Sequence, residues 1–420
     1  MAIALVDCNS FYCSCEIAFR PDLEKRPVVV LSNNDGCVVS RTNSAKKLNI
    51  KMAQPLFQIK NIIKRNNVAF FSSNYALYAD MSSRVMGILA QFTPEMEVYS
   101  IDEAFLNLDG FGHLDLNTYG AAIKKKVFQD VHIPVSVGIA QTKVLAKLAN
   151  HIAKKSVKAN GVVDLTQTRF HDRALSIVAI EDIWGIGRQS ANKLRLLGIK
   201  NAKDFRDFKN ERLIGKLLTK VGLQIKQELQ GIKCFPLSLY VEKKKQIISS
   251  RTFGRPVFDL EDLRESIANY ITTAAEKLRN QGSIATKLTV YIRTNPFKNT
   301  PQYYNFGNKN FLSGTSDTRK LITEGLEILE SIYRPGFEYK KTGISLSDLR
   351  DKELCQVNFF DEVDSKKDDV LMSTMDNINS REGKNTLKSA ACGLNSTWWM
   401  AREFKSPCYT TRWSDILKVS

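Results

Sequence analysis

Apolar positions early in the chain switch between short continuous runs and helical spacing. "IALVD" (3–7) is apolar until it ends on an acid, and "PVVVLS" (27–32) is β-branched and bounded by Pro and Asn-Asn-Asp-Gly. Both runs predict strands. Between them Phe11, Cys15, Ala18 and Phe19 recur at helical intervals, so the first strand passes at once into a helix. "SNYALYADMSSRVMGILAQF" (73–92) predicts a long helix capped by Ser or Asn. A helix near 117–130, the strand "IPVSVGIA" (133–140) and a helix over 142–154 follow.

The stretch "VYSIDEAFLNL" (98–108) reads as strand on both sides of two adjacent acids, Asp102 and Glu103. Successive strand residues point to opposite faces, and an unpaired carboxylate is costly to bury. The pair therefore predicts a tight turn at a hairpin tip, either solvated or held by a cation. Element order separates these two readings. With the piece between the first helix and residue 73 set aside as an insertion, the order is βαββαβ, a split or ferredoxin-like sheet whose first strand runs down the centre. Asp7, at the end of that strand, then finishes beside Asp102 and Glu103. Three carboxylates that close stay ionised only when cations neutralise them. Hard oxygen donors without His or Cys favour Mg²⁺ or Mn²⁺ over zinc. Two such ions with open coordination positions suit in-line phosphoryl transfer.

From about residue 170 the pattern changes. "IEDIWGIGRQSANKLRLLGIKNAKDF" holds Gly185-Ile186-Gly187, a helix, and then Leu197-Gly198-Ile199, a helix–hairpin–helix pattern. Its glycine turn exposes backbone N–H groups where a phosphate can dock, which makes Gly185, Gly187 and Arg188 candidate DNA contacts. A helical hairpin that only packs is the alternative. "EKKKQIISSRTFGRP" (242–256) opens another α/β unit, with "KLTVYIRT" (287–294) and "TGISLSDL" (342–349) as strands. From 351 onward the chain is polar and irregular and reads as a tail with local motifs rather than a further core.

Composition adds a partner. The 420 residues allow roughly three domains. Lys plus Arg outnumber Asp plus Glu by 61 to 44, a net charge of +17, which implies a polyanion, nucleic acid before an anionic membrane. Residues 120–160 contain eight lysines and one acid, Asp130, as phosphate contact requires. No 18-residue apolar run exists, and "MAIALVDC" lacks a basic n-region, so neither a spanning helix nor a signal peptide is expected. The eight cysteines include no CxxC and the four histidines are far apart, so no zinc site is expected. Reduced thiols in a cytosolic protein follow, with Cys8, Cys13 and Cys15 read as small buried hydrophobes.

"LVDCNSFYCSCE", "YSIDEAF", "SVGIAQTKVLAKLANHIAK" and "IEDIWGIGR" together resemble the Y-family translesion DNA polymerases. "VVVLSNNDGCVVSR", "FSSNYALYADMSSRVM" and the terminal "YTTRWSDILKV" resemble its UmuC subgroup, the catalytic subunit of bacterial DNA polymerase V. The resemblance spans essentially the full length. It implies a multidomain α/β and α protein: a ferredoxin-like palm (1–24 and 73–167), a fingers insertion (25–72), a helix–hairpin–helix thumb (168–233), an α/β little finger (243–350) and an irregular partner-binding tail (351–420).

By the same resemblance Asp7, Asp102 and Glu103 bind two Mg²⁺ ions, replaceable by Mn²⁺, with the Cys8 carbonyl as a further oxygen. Tyr12 stands at the steric-gate position, where an aromatic ring collides with a ribose 2′-hydroxyl; Phe11 packs beside it, and ordinary helix core is the other reading of both. Val39 would roof the nascent base pair. Lys154 matches a triphosphate lysine, and Arg41 is a further phosphate candidate. Lys46 replaces an arginine and so loses the bidentate fork. Asn43 replaces a tyrosine. Gln356, Val357, Asn358, Phe359 and Phe360 resemble the pentapeptide by which bacterial polymerases bind the sliding clamp, the aromatics as anchors. Implied partners are primed template DNA, dNTP, a UmuD′-like dimer and the RecA filament, at the bacterial nucleoid in the cytoplasm. Two rivals stay open: a metal-dependent nuclease, equally basic and acid-bearing, and a non-catalytic DNA-binding scaffold that recruits clamp and RecA.

Overall fold

The structure is a computed structural model that describes residues 2–240, 242–354, 366–394 and 398–417. The chain divides into two compact units, one of Met1–Ser32, Gly36–Val241 and Phe404–Ser420, the other of Asn33–Asp35 and Glu242–Glu403.

Unit 1 begins β1 (Ile3–Cys8), α1 (Phe11–Ala18), β2 (Val28–Leu31), β3 (Val38–Arg41), α2 (Asn43–Lys47), α3 (Leu56–Arg65) and β4 (Ala69–Ser72). It continues α4 (Tyr75–Leu89), β5 (Met96–Val98), β6 (Glu103–Asn107), α5 (Leu116–Val131), β7 (Val135–Ala140), α6 (Lys143–Lys155) and β8 (Val162–Asp164). Four helices end it: α7 (His171–Ile177), α8 (Arg188–Leu196), α9 (Ala202–Asp207) and α10 (Glu211–Leu229).

The main sheet has the order β5-β6-β1-β7-β8. β1 is antiparallel to both β6 and β7, the central placement that the element order predicts. All six of its residues are buried, as a strand covered on both faces must be. Alternation divides them: Ala4, Val6 and Cys8 join the core under α4 and α5, while Ile3 and Leu5 join the core under α6. Asp7 shares the face of Ile3 and Leu5, so the acid at the strand end looks toward α6. A small sheet, β3-β2-β4, occupies the insertion, its own core made of Val29, Leu31, Val38, Ala45, Ile50, Ile59 and Val68.

Two devices fix α6. Its N-cap Thr142 accepts from Leu145 N and donates to the Glu228 carbonyl, while the buried Glu228 carboxylate accepts from Val144 N (3.1 Å), a negative group at a helix N-terminus. At the other end, Gly138 of β7 lets the helix backbone close on the sheet, because a Cβ there would lie 2.1 Å from Asn150 N and 2.4 Å from the Ala146 carbonyl. Both obstacles are backbone and cannot swing aside. Gly138→Ala is expected to lower stability by about 3 kcal/mol or more, the upper range for overpacking. An unfolding free energy within about 0.5 kcal/mol of wild type would show that α6 can lift without penalty.

Unit 2 contains β9 (Ile247–Val257), α11 (Leu260–Asn280), β10 (Ser283–Thr294), β11 (Tyr304–Thr315), α12 (Thr318–Ile332), β12 (Tyr339–Asp351) and α13 (Lys366–Arg381). Its antiparallel sheet has the order β11-β10-β12-β9, with α11 and α12 packed on each other and on the sheet. The expected strands over 287–294 and 342–349 lie within β10 and β12.

The described residues after 351 do not form the irregular tail that their polarity suggests. α13 is joined to α11 by a two-bond Arg279–Asp376 pair, 2.7 Å each, and Met372 is buried. Trp398 is 1% exposed, edge-on to Phe253 and Tyr270, and Cys392 is buried beside it. Isolated aromatics and cysteines bury without leaving a periodic pattern, which is why the sequence hides them. Residues 356–360, the clamp-like pentapeptide, lie outside the described residues.

Candidate active site

Register brings the acids together. Asp7 and Glu103 are directly opposed across β1 and β6, and Cys8 N donates to the Asp102 carbonyl at 2.8 Å. Glu103 is the first residue of β6, not part of the turn, whereas Asp102 closes the turn that precedes it. The adjacent acids therefore straddle turn and strand.

Burial pushes the Asp7 carboxyl up to about 7 against the opposing pull of Lys154, and its hydrogen bond to Glu103 adds to the rise. Burial also acts on Glu103, but the Asp7 hydrogen bond and the Lys147 ammonium outweigh it and hold that carboxyl below its usual range. Lys154 Nζ lies 2.5 Å from Asp7 Oδ2, and Lys147 Nζ lies 3.1 and 3.0 Å from the two Glu103 oxygens. The Asp102 carboxylate accepts from Ser100 Oγ at 2.6 Å. Among the described residues no three His, Cys, Asp or Glu side chains are set as a ready metal cage. The donor chemistry still fits a hard divalent cation: the acids and a strand-end carbonyl are all oxygen, and buried Asp7 opposite Glu103 needs positive charge for both to stay ionised.

α6 supplies that side of the site as a stripe. Lys143, Lys147, Asn150 and Lys154 recur at helical spacing on the face that meets the sheet. Lys143 pairs with Glu97, Lys147 with Glu103 and Lys154 with Asp7, while Asn150 donates to the Leu5 and Ser136 carbonyls. Lys147 is also ringed by Tyr99, Trp184 and Phe105, 4.5, 5.3 and 5.9 Å from their centroids. Sequence reasoning missed Lys143, Lys147 and Asn150. Their signal is a polar line at 3.6-residue spacing among the apolar residues Val144, Leu145, Ala146, Leu148, Ala149 and Ala153.

A cleft of about 450 Å³ gathers Asp7, Cys8, Phe11, Tyr12, Val39, Arg41, Lys46, Asp102 and Lys154, together with Ser10, Ser40, Met52 and Ile101. Asn43 is not among them; it lines the adjoining cavity with Lys46 and Lys154 and accepts from Lys46 Nζ at 3.1 Å. Lys46 is held below its usual range by burial and by the Arg41 and Lys154 charges. Arg41 Nη1 donates to the Ile50 carbonyl, and its buried Nε has no partner among the described residues. Phe11 is both core and cleft wall, 3% exposed. Tyr12 is half-buried and stacks on Tyr78, with centroids 4.4 Å apart and planes 13° apart.

Gly185, Gly187 and Arg188 do not reach this cleft. They form the turn into α8, with Gly185 at φ 85° and Gly187 at the N-cap. The element just before them is a 3₁₀ turn (Ile180–Asp182) rather than the expected α-helix. Trp184 Nε1 donates to Tyr99 Oη at 3.2 Å, tying that turn to the acid-bearing hairpin.

The class comes from the fold. A Y-family DNA polymerase chimera of Dbh and Dpo4 superposes with a TM-score of 0.65 at 23% identity, covering 83% of this chain and 99% of its own. DinB from Sulfolobus solfataricus gives 0.53 at 23% identity over 83% and 98%. This is the Y-family polymerase fold. The model of the impB/mucB/samB family matches residues 6–151, that of the family's C-terminal domain 244–359, and a domain of unknown function 369–419. Protein UmuC of Salmonella typhimurium strain LT2 is 43% identical over 99% of both chains, and Protein MucB of Escherichia coli 39% identical over 98% of both. DNA polymerase IV of Clostridium kluyveri is 27% identical over 93% of this chain and 97% of its own. The chain belongs to the impB/mucB/samB family, the UmuC type of Y-family protein.

Proposed function

We propose that this chain is a DNA-directed DNA polymerase that performs error-prone translesion synthesis, adding a dNTP to a primer 3′-hydroxyl. One observation carries the reading: a single cleft holds two of the acids, an aromatic ring at its wall and three cationic side chains, with Glu103 facing Asp7. Asp7, Asp102, Glu103 and the Cys8 carbonyl would hold two Mg²⁺ or Mn²⁺ ions, which supply Lewis-acid stabilisation of charge at the reacting phosphate.

The remaining work falls to the protein. Lys154 exchanges its Asp7 contact for the triphosphate, with Lys46, Arg41 and Asn43 along the same wall; Lys46 offers a point charge rather than a fork. Val39 and Phe11 bound the base and sugar. Tyr12 stands where a ribose 2′-hydroxyl would project. The segments 1–24 with 73–167, 25–72, 168–233 and 243–350 act as palm, fingers, thumb and little finger. The turn at Gly185, Gly187 and Arg188 holds the DNA backbone through main-chain N–H groups. Residues 356–360 dock on a sliding clamp, while a UmuD′-like dimer and the RecA filament engage the C-terminal region at the nucleoid. No helix among the described residues is long and apolar enough to cross a membrane.

The test is primer extension past an abasic template site with Mg²⁺, a clamp, the UmuD′-like dimer and RecA filament present. Extension supports the reading. Cleavage of the labelled strand instead indicates a nuclease, and tight binding with no chemistry a scaffold. Tyr12→Ala is expected to raise ribonucleotide incorporation relative to dNTP by about 10²-fold, because steric exclusion is lost while the phosphate and metal groups remain. Unchanged sugar selectivity would remove Tyr12 from this role.

A further inference from the structure

The chain returns to unit 1 at Phe404 and is fastened there. Phe404 N donates to Ser72 Oγ (2.9 Å), Ser72 N donates to the Phe404 carbonyl (3.0 Å), and the Phe404 ring meets Phe70 at 4.6 Å. Asn74, fully buried at the N-cap position of α4, makes no cap bond. Its side-chain amide donates instead to the Ser406 carbonyl, Ser406 Oγ and the Pro407 carbonyl, at 3.2, 3.0 and 3.1 Å. Tyr409 stacks flat on Phe19 at 4.9 Å.

At the centre of this contact lies a buried acid that the proposed reaction does not use. Glu16 is 0% exposed. Its Oε1 accepts from Tyr78 Oη at 2.6 Å and from Ser406 Oγ at 3.0 Å, while Oε2 has no partner among the described residues. Burial holds its carboxyl above the usual range. A buried carboxyl is costly unless it is hydrogen-bonded, and here both bonds fall on one oxygen. Its surroundings are specific: Glu16 is one turn along α1 from Tyr12, and Tyr78 is the residue on which the Tyr12 ring stacks. Tyr75, one turn before Tyr78, meets the same ring edge-on at 6.2 Å.

We propose that residues 404–409, part of the stretch that the model of a domain of unknown function matches, brace the Tyr12 ring through Ser406, Glu16 and Tyr78, making Ser406 and Glu16 positioning residues for sugar discrimination. The inference rests on Tyr12 as the sugar gate. A steric gate works by overlap of a fraction of an ångström, so it discriminates only as well as its ring is held. The ring is held by a stack on Tyr78, and Tyr78 is held at its hydroxyl by an acid that the C-terminal segment completes. Ser406 Oγ accepts from Asn74 and donates to Glu16, so one hydroxyl joins the start of α4 to α1.

The test uses the full-length chain under the extension conditions above and reads the ratio of kcat/KM for a dNTP to that for the matching rNTP. Ser406→Ala and Tyr78→Phe are each expected to lower that ratio about fivefold, close to 1 kcal/mol of discrimination, while Ser406→Thr, which keeps the hydroxyl, preserves it. In the Tyr12→Ala background Ser406→Ala should change the ratio no further, as coupled residues require. Equal loss of both rates with an unchanged ratio would mean that the segment only stabilises the fold, and overturns the brace. If Ser406→Ala does not fold, Tyr78→Phe, which removes one hydroxyl at constant packing, decides alone. Should Tyr12→Ala itself leave the ratio unchanged, the gate reading falls and the brace with it; a shift for Tyr12→Ala without one for Ser406→Ala or Tyr78→Phe sinks the brace only.

Discussion

Asp102→Asn is expected to abolish nucleotide addition, by about 10³-fold or more, while the chain stays folded and bound to primed DNA. The asparagine has nearly the same shape and can still accept from Ser100 Oγ, now made at 2.6 Å by the carboxylate, so the turn before β6 is kept. What is lost is one negative charge beside Asp7 and Glu103. Groups that act together on developing charge are not additive, and losing one removes most of what the set achieves. DNA affinity is expected to arise elsewhere, from the net charge of +17 and from lysines outside this acid cluster, such as Lys124, Lys125 and Lys158. Single-turnover extension and DNA binding measured at one salt concentration separate these effects. Binding that collapses along with extension would mean that Asp102 serves the fold or the DNA rather than the chemistry.

Trp398→Ala is expected to destabilise unit 2 by about 3–5 kcal/mol, the usual range for deleting a buried large aromatic. The indole is 1% exposed, edge-on to Phe253 and Tyr270, stacked on Trp399 at 4.5 Å, with Nε1 3.4 Å from Glu265 Oε2. The neighbouring backbone is also closely packed, since a Cβ at Gly254 would lie 2.4 Å from the Trp399 carbonyl. Calorimetry should show one transition falling by roughly 10 °C, with that of the other unit little changed. A loss below about 1 kcal/mol would return residues 398–399 to the status of a loose tail.

Local pattern was sufficient for the parts of this protein whose side chains repeat. The β1 run, the amphipathic helices and the long strands β10 and β12 show their periods directly, and the βαββαβ order follows from them, which is how Asp7 could be placed beside Asp102 and Glu103. Motif resemblance supplied Tyr12, Val39, Arg41, Lys46 and Lys154, all of which line one cleft. Charge supplied the expectation of a nucleic-acid partner.

Other features needed the folded chain because they depend on residues far apart in sequence. Lys147 and Lys154 look like a basic helix face until β1 and β6 bring Glu103 and Asp7 beneath them. Glu16 looks like an ordinary helix acid until Ser406, 390 positions later, donates to it. Trp398 looks like a stray aromatic until Phe253 of β9 and Tyr270 of α11 close on it. Periodicity records only what neighbours along the chain do together; burial and pairing across hundreds of residues leave no local trace, and here those long-range contacts decide which acids are paired, which are buried and which rings are held.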